Sequence, residues 1–227
     1  MKPYFLLILL CLLYFSCSPS LVYSPTVYPV SKPLNKGNIQ TGASLTMLAE
    51  ARPDEIGHKT SEGGEAFFRL ALSNTSTIQI KWWRDISDHN FRDNSRSGIS
   101  FSSIHKVIYH ENSYYIGIMP QFALLFDNSN VEGGGGYFYF ILSSSRNKLL
   151  NPYIAFSPLL GMRDIFSEEY NNRKQWGWGL MGNLGLIARL TKIIRLNIEV
   201  AGLYQINKFD RKTDSIFSPN IGISAVF

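Results

Sequence analysis

The longest regular pattern in the chain is an alternation of large apolar and smaller residues between Lys174 and Leu190. Two tryptophans and four leucines occupy even positions, while the odd positions hold mostly glycine, methionine, asparagine and arginine. A repeat of two residues is the period of a β-strand, whose side chains point alternately to its two faces. The segment is about three times as long as a typical strand. Its apolar face therefore needs an extended apolar surrounding.

Similar alternation recurs along the chain. Composition also favours strands and turns, because the chain has 14% aromatic residues, 18 glycines and only 17% charged residues. No segment after Phe15 is long and apolar enough for a transmembrane helix. We predict ten strands, at 38–51, 62–73, 76–86, 97–110, 113–126, 134–144, 150–162, 174–190, 193–207 and 214–227.

The connections between these segments alternate between short and longer, and the longer ones are polar. The short links are LSNTST, YHENS, SSSRNK and RLTKI, and the longer ones are ARPDEIGHKTSEG, DISDHNFRDNSRS, DNSNVEGG, RDIFSEEYNNRK and NKFDRKTDS. Short periplasmic turns and longer outer loops are typical of outer-membrane barrels. We therefore predict an all-β, up-and-down antiparallel transmembrane barrel of ten strands. Eight strands is the alternative, because 62–73 and 134–144 are the least regular segments.

The two faces of the later strands differ in polarity. In 193–207, isoleucine, leucine and valine alternate with arginine, asparagine, glutamate and glutamine. The apolar faces should contact hydrocarbon, and the mixed faces should point into the barrel. We expect a filled, salt-bridged interior, since buried charges are tolerated when they are paired. The candidate inward charges are Glu65, Arg69, Lys81, Arg189, Arg195 and Glu199.

The N-terminus has the organisation of a secretion signal. Lys2 precedes an apolar stretch from Tyr4 to Phe15, which is too short to span a bilayer. Ser16-Cys17 then resembles the bacterial lipobox, which implies cleavage before Cys17 and a lipid on its thiol; an ordinary signal cleaved near Ser18 or Ser20 is the alternative. We divide the chain into a lipoprotein signal peptide (1–16), a lipidated, proline-rich tether (17–37) and the barrel (38–227). An even strand number places both termini of the barrel on the periplasmic side.

Aromatic residues near the predicted strand ends indicate membrane interfaces, where tryptophan and tyrosine rings form girdles. We assign this role to Trp176, Trp178, Tyr114 and Phe126. The last residue, Phe227, resembles the C-terminal aromatic assembly signal of outer-membrane barrels. This resemblance implies that the barrel-assembly machinery is a partner during insertion.

Cys17, the segment VYSPTVYPVSKPLNKGNIQTGASL, the QWGWG strand and the terminal SPNIGISAVF together carry a wider likeness. With these features the chain resembles the lipidated outer-membrane β-barrel proteins of Bacteroidota. The likeness covers essentially the whole chain. It implies a location and a fold, and it implies no general activity.

Candidate chemistry is sparse. Asp85, Asp88, His89 and Asp93 lie together in DISDHNFRDN, where an omptin-like rim site could activate water, although a solvated polar loop has the same composition. Ser103 and His105 share a strand face, as two residues of a lipid hydrolase could, but we interpret the pair as an ordinary strand face. The glycines of VEGGGGYF lack the lysine of a phosphate-binding loop, and we interpret them as a bulge or a close backbone approach.

We expect a barrel without catalytic, metal or cofactor sites. We also expect no nucleic-acid binding, because the basic residues behind its net charge of +5 are scattered along the chain. The expected partners are outer-membrane lipid and other proteins of an outer-membrane complex, in which the barrel has a structural or accessory role. The alternatives are an omptin-like rim hydrolase, a narrow channel, and a lipocalin-like tethered barrel with the Trp/Leu face around a ligand.

Overall fold

The computed structural model describes residues 34–51, 59–85, 96–111, 113–127, 130–147, 149–163, 175–207 and 213–227. These residues form a closed barrel of ten antiparallel strands, in which each strand pairs with its sequence neighbours and the first pairs with the last. The strands are β1 (Ile39–Ala51), β2 (Lys59–Ser73), β3 (Ser76–Asp85), β4 (Arg96–Glu111), β5 (Tyr114–Asp127), β6 (Asn130–Ser144), β7 (Leu150–Arg163), β8 (Gln175–Arg189), β9 (Ile194–Asn207) and β10 (Thr213–Val226). The predicted ten-stranded barrel is confirmed, and the eight-stranded alternative is wrong.

The start of β6 differs from the prediction. The stretch DNSNVEGG was expected to be a longer loop, but β6 already begins at Asn130. Gly133 pairs with Leu125 while Val131 pairs with Phe126, so the extra residue forms a bulge. A Cβ atom at Gly135 would lie 2.8 Å from the carbonyl oxygen of Leu160. The glycines therefore allow a bulged strand to approach β7 closely, as their sequence suggested.

One end of the barrel carries the short turns and both ends of the described chain. Leu34 is buried there against Ala71 and Val226. Gly37 has a positive φ of 86°, which favours glycine, and its N–H donates to the Ala71 carbonyl at 2.9 Å. Phe227 exchanges two backbone hydrogen bonds with Ile39. The last residues of the predicted tether thus pack onto the short-turn end.

The outer surface is apolar around the whole circumference, and among the described residues no helix is long and apolar enough to cross a membrane. Each strand presents at least one large apolar side chain that is more than two-fifths exposed. Examples from β1 to β10 are Leu45, Phe68, Trp82, Phe101, Phe122, Phe140, Phe156, Leu184, Ile198 and Ile221. An apolar exterior on a closed sheet is the arrangement of a transmembrane barrel. The lipocalin-like alternative is wrong on this point, because the Trp/Leu face of β8 points outward.

The stagger of the strands fixes the width of the barrel. Starting from Arg189 on β8, cross-strand partners can be traced through β9 and β10 and then from β1 to β7. The trace returns to β8 at Gly177, which is 12 residues from Arg189. Ten strands with this stagger imply a tilt of roughly 40° and a backbone radius of about 10 Å. Large side chains from opposite walls therefore meet near the barrel axis.

Several inward glycines lie directly opposite aromatic rings on the neighbouring strand. The pairs are Gly42 with Phe67, Gly98 with Trp83 and Gly185 with Tyr153. A Cβ atom at each glycine would overlap the ring opposite. Glycine is needed on the inner face because the aromatic ring lies flat across the neighbouring backbone.

Candidate functional site

The interior of the barrel is the candidate functional site, because its polar groups are deeply buried. The polar side chains are concentrated on β1, β2, β3, β9 and β10. The largest of them, each no more than 8% exposed, are Gln40, Glu65, Arg69, Gln79, Lys81, Arg195, Asn197, Glu199 and Asn220. Alternation along each strand places them inside, since each occupies an inward-facing position of its strand.

Arg69 is the centre of one hydrogen-bond group in the interior. Its Nη1 donates to Gln40 Oε1 at 2.8 Å, and its Nε donates to Gln79 Oε1 at 3.0 Å. Gln40 Nε2 and Asn197 Nδ2 both donate to Ser224 Oγ at 3.1 Å. The group joins five strands around the closure of the barrel, so it ties β10 and β1 to the strands on either side.

A second group contains a lysine and a glutamate. Lys81 Nζ lies 4.0 Å from Glu65 Oε2, and both side chains are at most 2% exposed. Ser44 Oγ donates to the same carboxylate at 3.4 Å. Removing one charge of such a pair would leave the other buried and uncompensated, which is more costly than removing both.

Glu199 is the second buried carboxylate. It accepts hydrogen bonds from Asn183 Nδ2 at 2.8 Å and from the hydroxyl of Tyr153. The two donors lie on the strands that precede β9 in the barrel, Asn183 on β8 and Tyr153 on β7. The ring of Tyr153 crosses β8 over Gly185 to reach this carboxylate, so the glycine and the hydrogen bond depend on each other.

An apolar cluster fills the opposite wall of the interior, on β5 to β9. It consists of Met119, Ala123, Tyr137, Tyr139, Ile141, Ala155, Leu159, Met181 and Leu203. The rings of Tyr137 and Tyr139 stack with their centroids 5.8 Å apart. Met119, Tyr139 and Met181 have no exposed surface. These side chains fill the space that an open pore would need.

Some buried polar atoms on β4, β5 and β6 have no hydrogen-bond partner among the residues that the structure describes. They are Ser100 Oγ, Ser102 Oγ, both amide atoms of Gln121 and the hydroxyl of Tyr139. Ser102 pairs with Gln121 across β4 and β5. Buried polar groups without protein partners commonly bind ordered water. Isolated internal waters are therefore expected along this wall.

Five of the six predicted inward charges are buried inside the barrel, and Arg189 is half-buried at its short-turn rim. Lys81 and Glu65 lie 4.0 Å apart as a buried ion pair, as expected for a salt-bridged interior. Arg69 and Glu199 also bind neutral groups, among them the amides of Gln40 and Asn183.

The predicted interface aromatics occupy both ends of the strands. Tyr114 begins β5 at a short turn and Trp178 lies near the start of β8 at the opposite end, and both side chains are more than two-fifths exposed. Phe126 lies near the end of β5 and is partly buried. Trp176 is in β8, but its side chain lies outside the described residues. Their role as girdles stays a prediction.

Most of the predicted site residues in the loops and in the N-terminal segment lie outside the described residues. This applies to Cys17 and to Asp88, His89 and Asp93. Asp85 ends β3, and Ser103 and His105 lie in β4, but their side chains are not among those described. Within the described part of the chain, no group of three histidine, cysteine or acidic residues could hold a metal ion.

Sequence reasoning did not single out Gln40, Gln79, Tyr153 and Asn183, which bind the buried charges. The first two are polar residues at inward positions of predicted strands, so a search that included amides would have found them. Tyr153 gives no such signal, because an aromatic residue in a strand equally suits the lipid face. Gly185, which pairs with Tyr153 and lies on the glycine-rich face of β8, is the residue that could have indicated an inward aromatic ring.

A scan against protein-family models finds no match, and a search of curated proteins finds none either. Among solved structures, the outer membrane protease OmpT of Escherichia coli covers 92% of this chain and 99% of its own, with 10% identity and a TM-score of 0.48. Neisserial surface protein A covers 84% and 99%, with 10% identity and a TM-score of 0.42. Ail of Yersinia pestis, solved with the heparin analogue sucrose octasulfate, covers 85% and 99%, with 12% identity and a TM-score of 0.39.

Proposed function

We propose that the chain is a lipid-anchored barrel of the bacterial outer membrane, of the kind found in Bacteroidota. In this proposal it is non-catalytic and has a structural or accessory role in an outer-membrane complex. The observation that carries the proposal is the combination of a continuous apolar exterior with an interior filled by bonded side chains. The exterior suits a bilayer, and the filled interior suits a component that does not transport solutes through its lumen.

The outer membrane is the location proposed because closed barrels satisfy every backbone hydrogen bond without water. Proteins that cross this membrane are typically barrels with short turns at one end and longer loops at the other. The signal sequence and the terminal Phe227 are consistent with export and assembly there. The short turns, Leu34 and Phe227 would then face the periplasm.

The anchor is proposed at Cys17 because a small residue and a cysteine end the apolar signal segment. Leu34 is buried at the short-turn end, so the tether would leave the barrel beside the inner leaflet. A chain from Cys17 to Leu34 can extend by up to about 3.5 Å per residue. This reach is ample for a lipid in the periplasmic leaflet.

Planar-bilayer recording tests the absence of transport. The purified barrel should give no steady conductance, because Met119, Tyr139 and Met181 are fully buried across the interior. A variant with Met119→Ala and Tyr139→Ala removes part of this filling and serves as the comparison, with conductance expected to rise. Steady ion conductance by the unaltered barrel would overturn the proposal and favour a narrow channel.

The non-catalytic role is tested on whole membranes with peptide and phospholipid substrates. The unaltered protein and a variant with Asp88→Asn and His89→Ala should give the same low background. Hydrolysis that disappears only in the variant would establish a rim enzyme instead. Native gel migration after mild solubilisation should show a complex larger than the monomer, and a monomer at every detergent concentration would contradict the accessory role.

A further inference from the structure

Two arginines face each other at the short-turn mouth of the interior. Arg189 is the last residue of β8, Arg195 is the second residue of β9, and the two are directly opposite in the antiparallel pairing. The alternation along both strands points both side chains inward. Like charges directly opposite each other on a sheet face are destabilising. The pair therefore needs a compensating interaction.

The described protein does not supply this interaction. Neither guanidinium donates a hydrogen bond to, or forms an ion pair with, a described residue. Arg195 is only 8% exposed, and the Nε atom of Arg189 is buried without a partner. A buried guanidinium normally requires several acceptors, so these two are open to an external one.

The surroundings of the pair are polar. Two residues further into the barrel, Ile187 of β8 pairs with Asn151 on β7 and with Asn197 on β9. The Oδ1 atom of each asparagine is buried without a partner. Their amide nitrogens already donate, to the Ile187 carbonyl at 3.5 Å and to Ser224 Oγ at 3.1 Å. Both of these oxygens are acceptors, so they make the surroundings polar, and the guanidinium groups are the hydrogen-bond donors of the site.

We infer that Arg189 and Arg195 form a binding site for a small, doubly charged oxyanion of the phosphate class. A phosphate dianion neutralises both guanidinium groups and can accept paired N–H bonds from each. A single carboxylate neutralises only one charge. Both side chains point into the barrel and Arg189 is partly exposed at the short-turn rim, so the ligand we infer is a soluble phosphate or phosphate monoester that approaches from that side. The headgroups of surrounding lipids lie outside the wall.

The test measures the unfolding temperature of the folded full chain in zwitterionic micelles at pH 8. Sodium phosphate is titrated against sodium chloride at matched ionic strength. The unaltered protein should show a saturable rise with phosphate, because a ligand that binds only the folded state stabilises it. Lys192→Gln removes an exposed charge from the same turn and should keep the full response. Arg195→Gln should lose it.

Without phosphate, Arg195→Gln should be at least as stable as the unaltered protein, because the like-charge contact is gone. Arg189→Gln, at the half-buried rim, gives a second variant if the first folds poorly. Equal responses to phosphate and chloride, or an undiminished response in both arginine variants, would overturn the inference. Glycerol phosphate should act like phosphate. Stabilisation by phosphatidylglycerol vesicles alone would identify a lipid headgroup and refute the inward-facing soluble site.

Discussion

Replacing Gly185 with alanine adds one methyl group to the interior and tests how tightly the side chains around it are packed. The added Cβ would overlap the ring of Tyr153, which lies directly opposite on β7. Tyr153 is only 3% exposed and its hydroxyl donates to Glu199. The ring can move aside only by leaving its packed position and weakening that hydrogen bond. The substitution therefore affects packing and charge satisfaction together.

The expected cost follows from these two effects. Forcing an extra methyl group into a packed interior costs about 1–3 kcal/mol. Losing the Tyr153 hydrogen bond to the buried carboxylate costs about 1.5–3 kcal/mol, while Glu199 keeps the Asn183 amide as a donor at 2.8 Å. We expect Gly185→Ala to lower the free energy of unfolding by about 3–5 kcal/mol.

Urea unfolding of the barrel refolded into lipid vesicles, followed by tryptophan fluorescence, gives this free energy from the midpoint and slope. Gly182→Ala is the matched control on the same strand. Gly182 is exposed on the outer face, and a Cβ atom there would have no neighbour within 4 Å. The control should be neutral or slightly stabilising. Equal stability of the two variants would refute the packing of Tyr153 over Gly185.

Three further substitutions test other parts of the barrel. Phe156→Arg, in the middle of β7 on the exposed face, should cost about 2–4 kcal/mol in vesicle unfolding, because it places a charge at mid-membrane. Lys81→Met should cost about 3–5 kcal/mol, while Lys81→Met with Glu65→Leu should recover most of it, as a double-mutant cycle would show. Leu34→Asp should loosen the tether from the short-turn end, measured as faster proteolysis before Gly37 with the barrel itself intact. Loss of the whole barrel in that digestion would contradict a local contact.

The strands could be predicted closely because period-two alternation and turn residues act locally. β9 shows this well, since even residues from Ile194 to Ile206 lie on the outer face and Arg195, Asn197 and Glu199 lie inside. Every strand has one face toward the membrane and one face toward the crowded interior, so the same alternation recurs in all of them. The start of β6 was missed because glycines are usually turn signals, and here the close approach of β7 determines their position in the sheet.

The partners of the buried charges could not be predicted in the same way. Arg69 meets Gln79 on the next strand but also Gln40 on the previous one, and these contacts depend on register around the closed barrel. Glu199 accepts hydrogen bonds from Tyr153 and Asn183, two residues on other strands that the sequence around Glu199 does not indicate. Alternation predicts which side chains enter the interior, whereas strand stagger determines which of them meet.

A membrane-spanning barrel with a filled interior is tested most directly by which face of its strands contacts lipid. Spin labels placed singly at residues 196–204 of β9, in the barrel reconstituted in vesicles, measure collisions with oxygen and with a water-soluble reagent. We predict oxygen collision maxima at even positions, including Ile198 and Val200, with little access for the water-soluble reagent anywhere in the series. Maxima at odd positions, or access of the water-soluble reagent to the even ones, would contradict a membrane-spanning barrel with a filled interior.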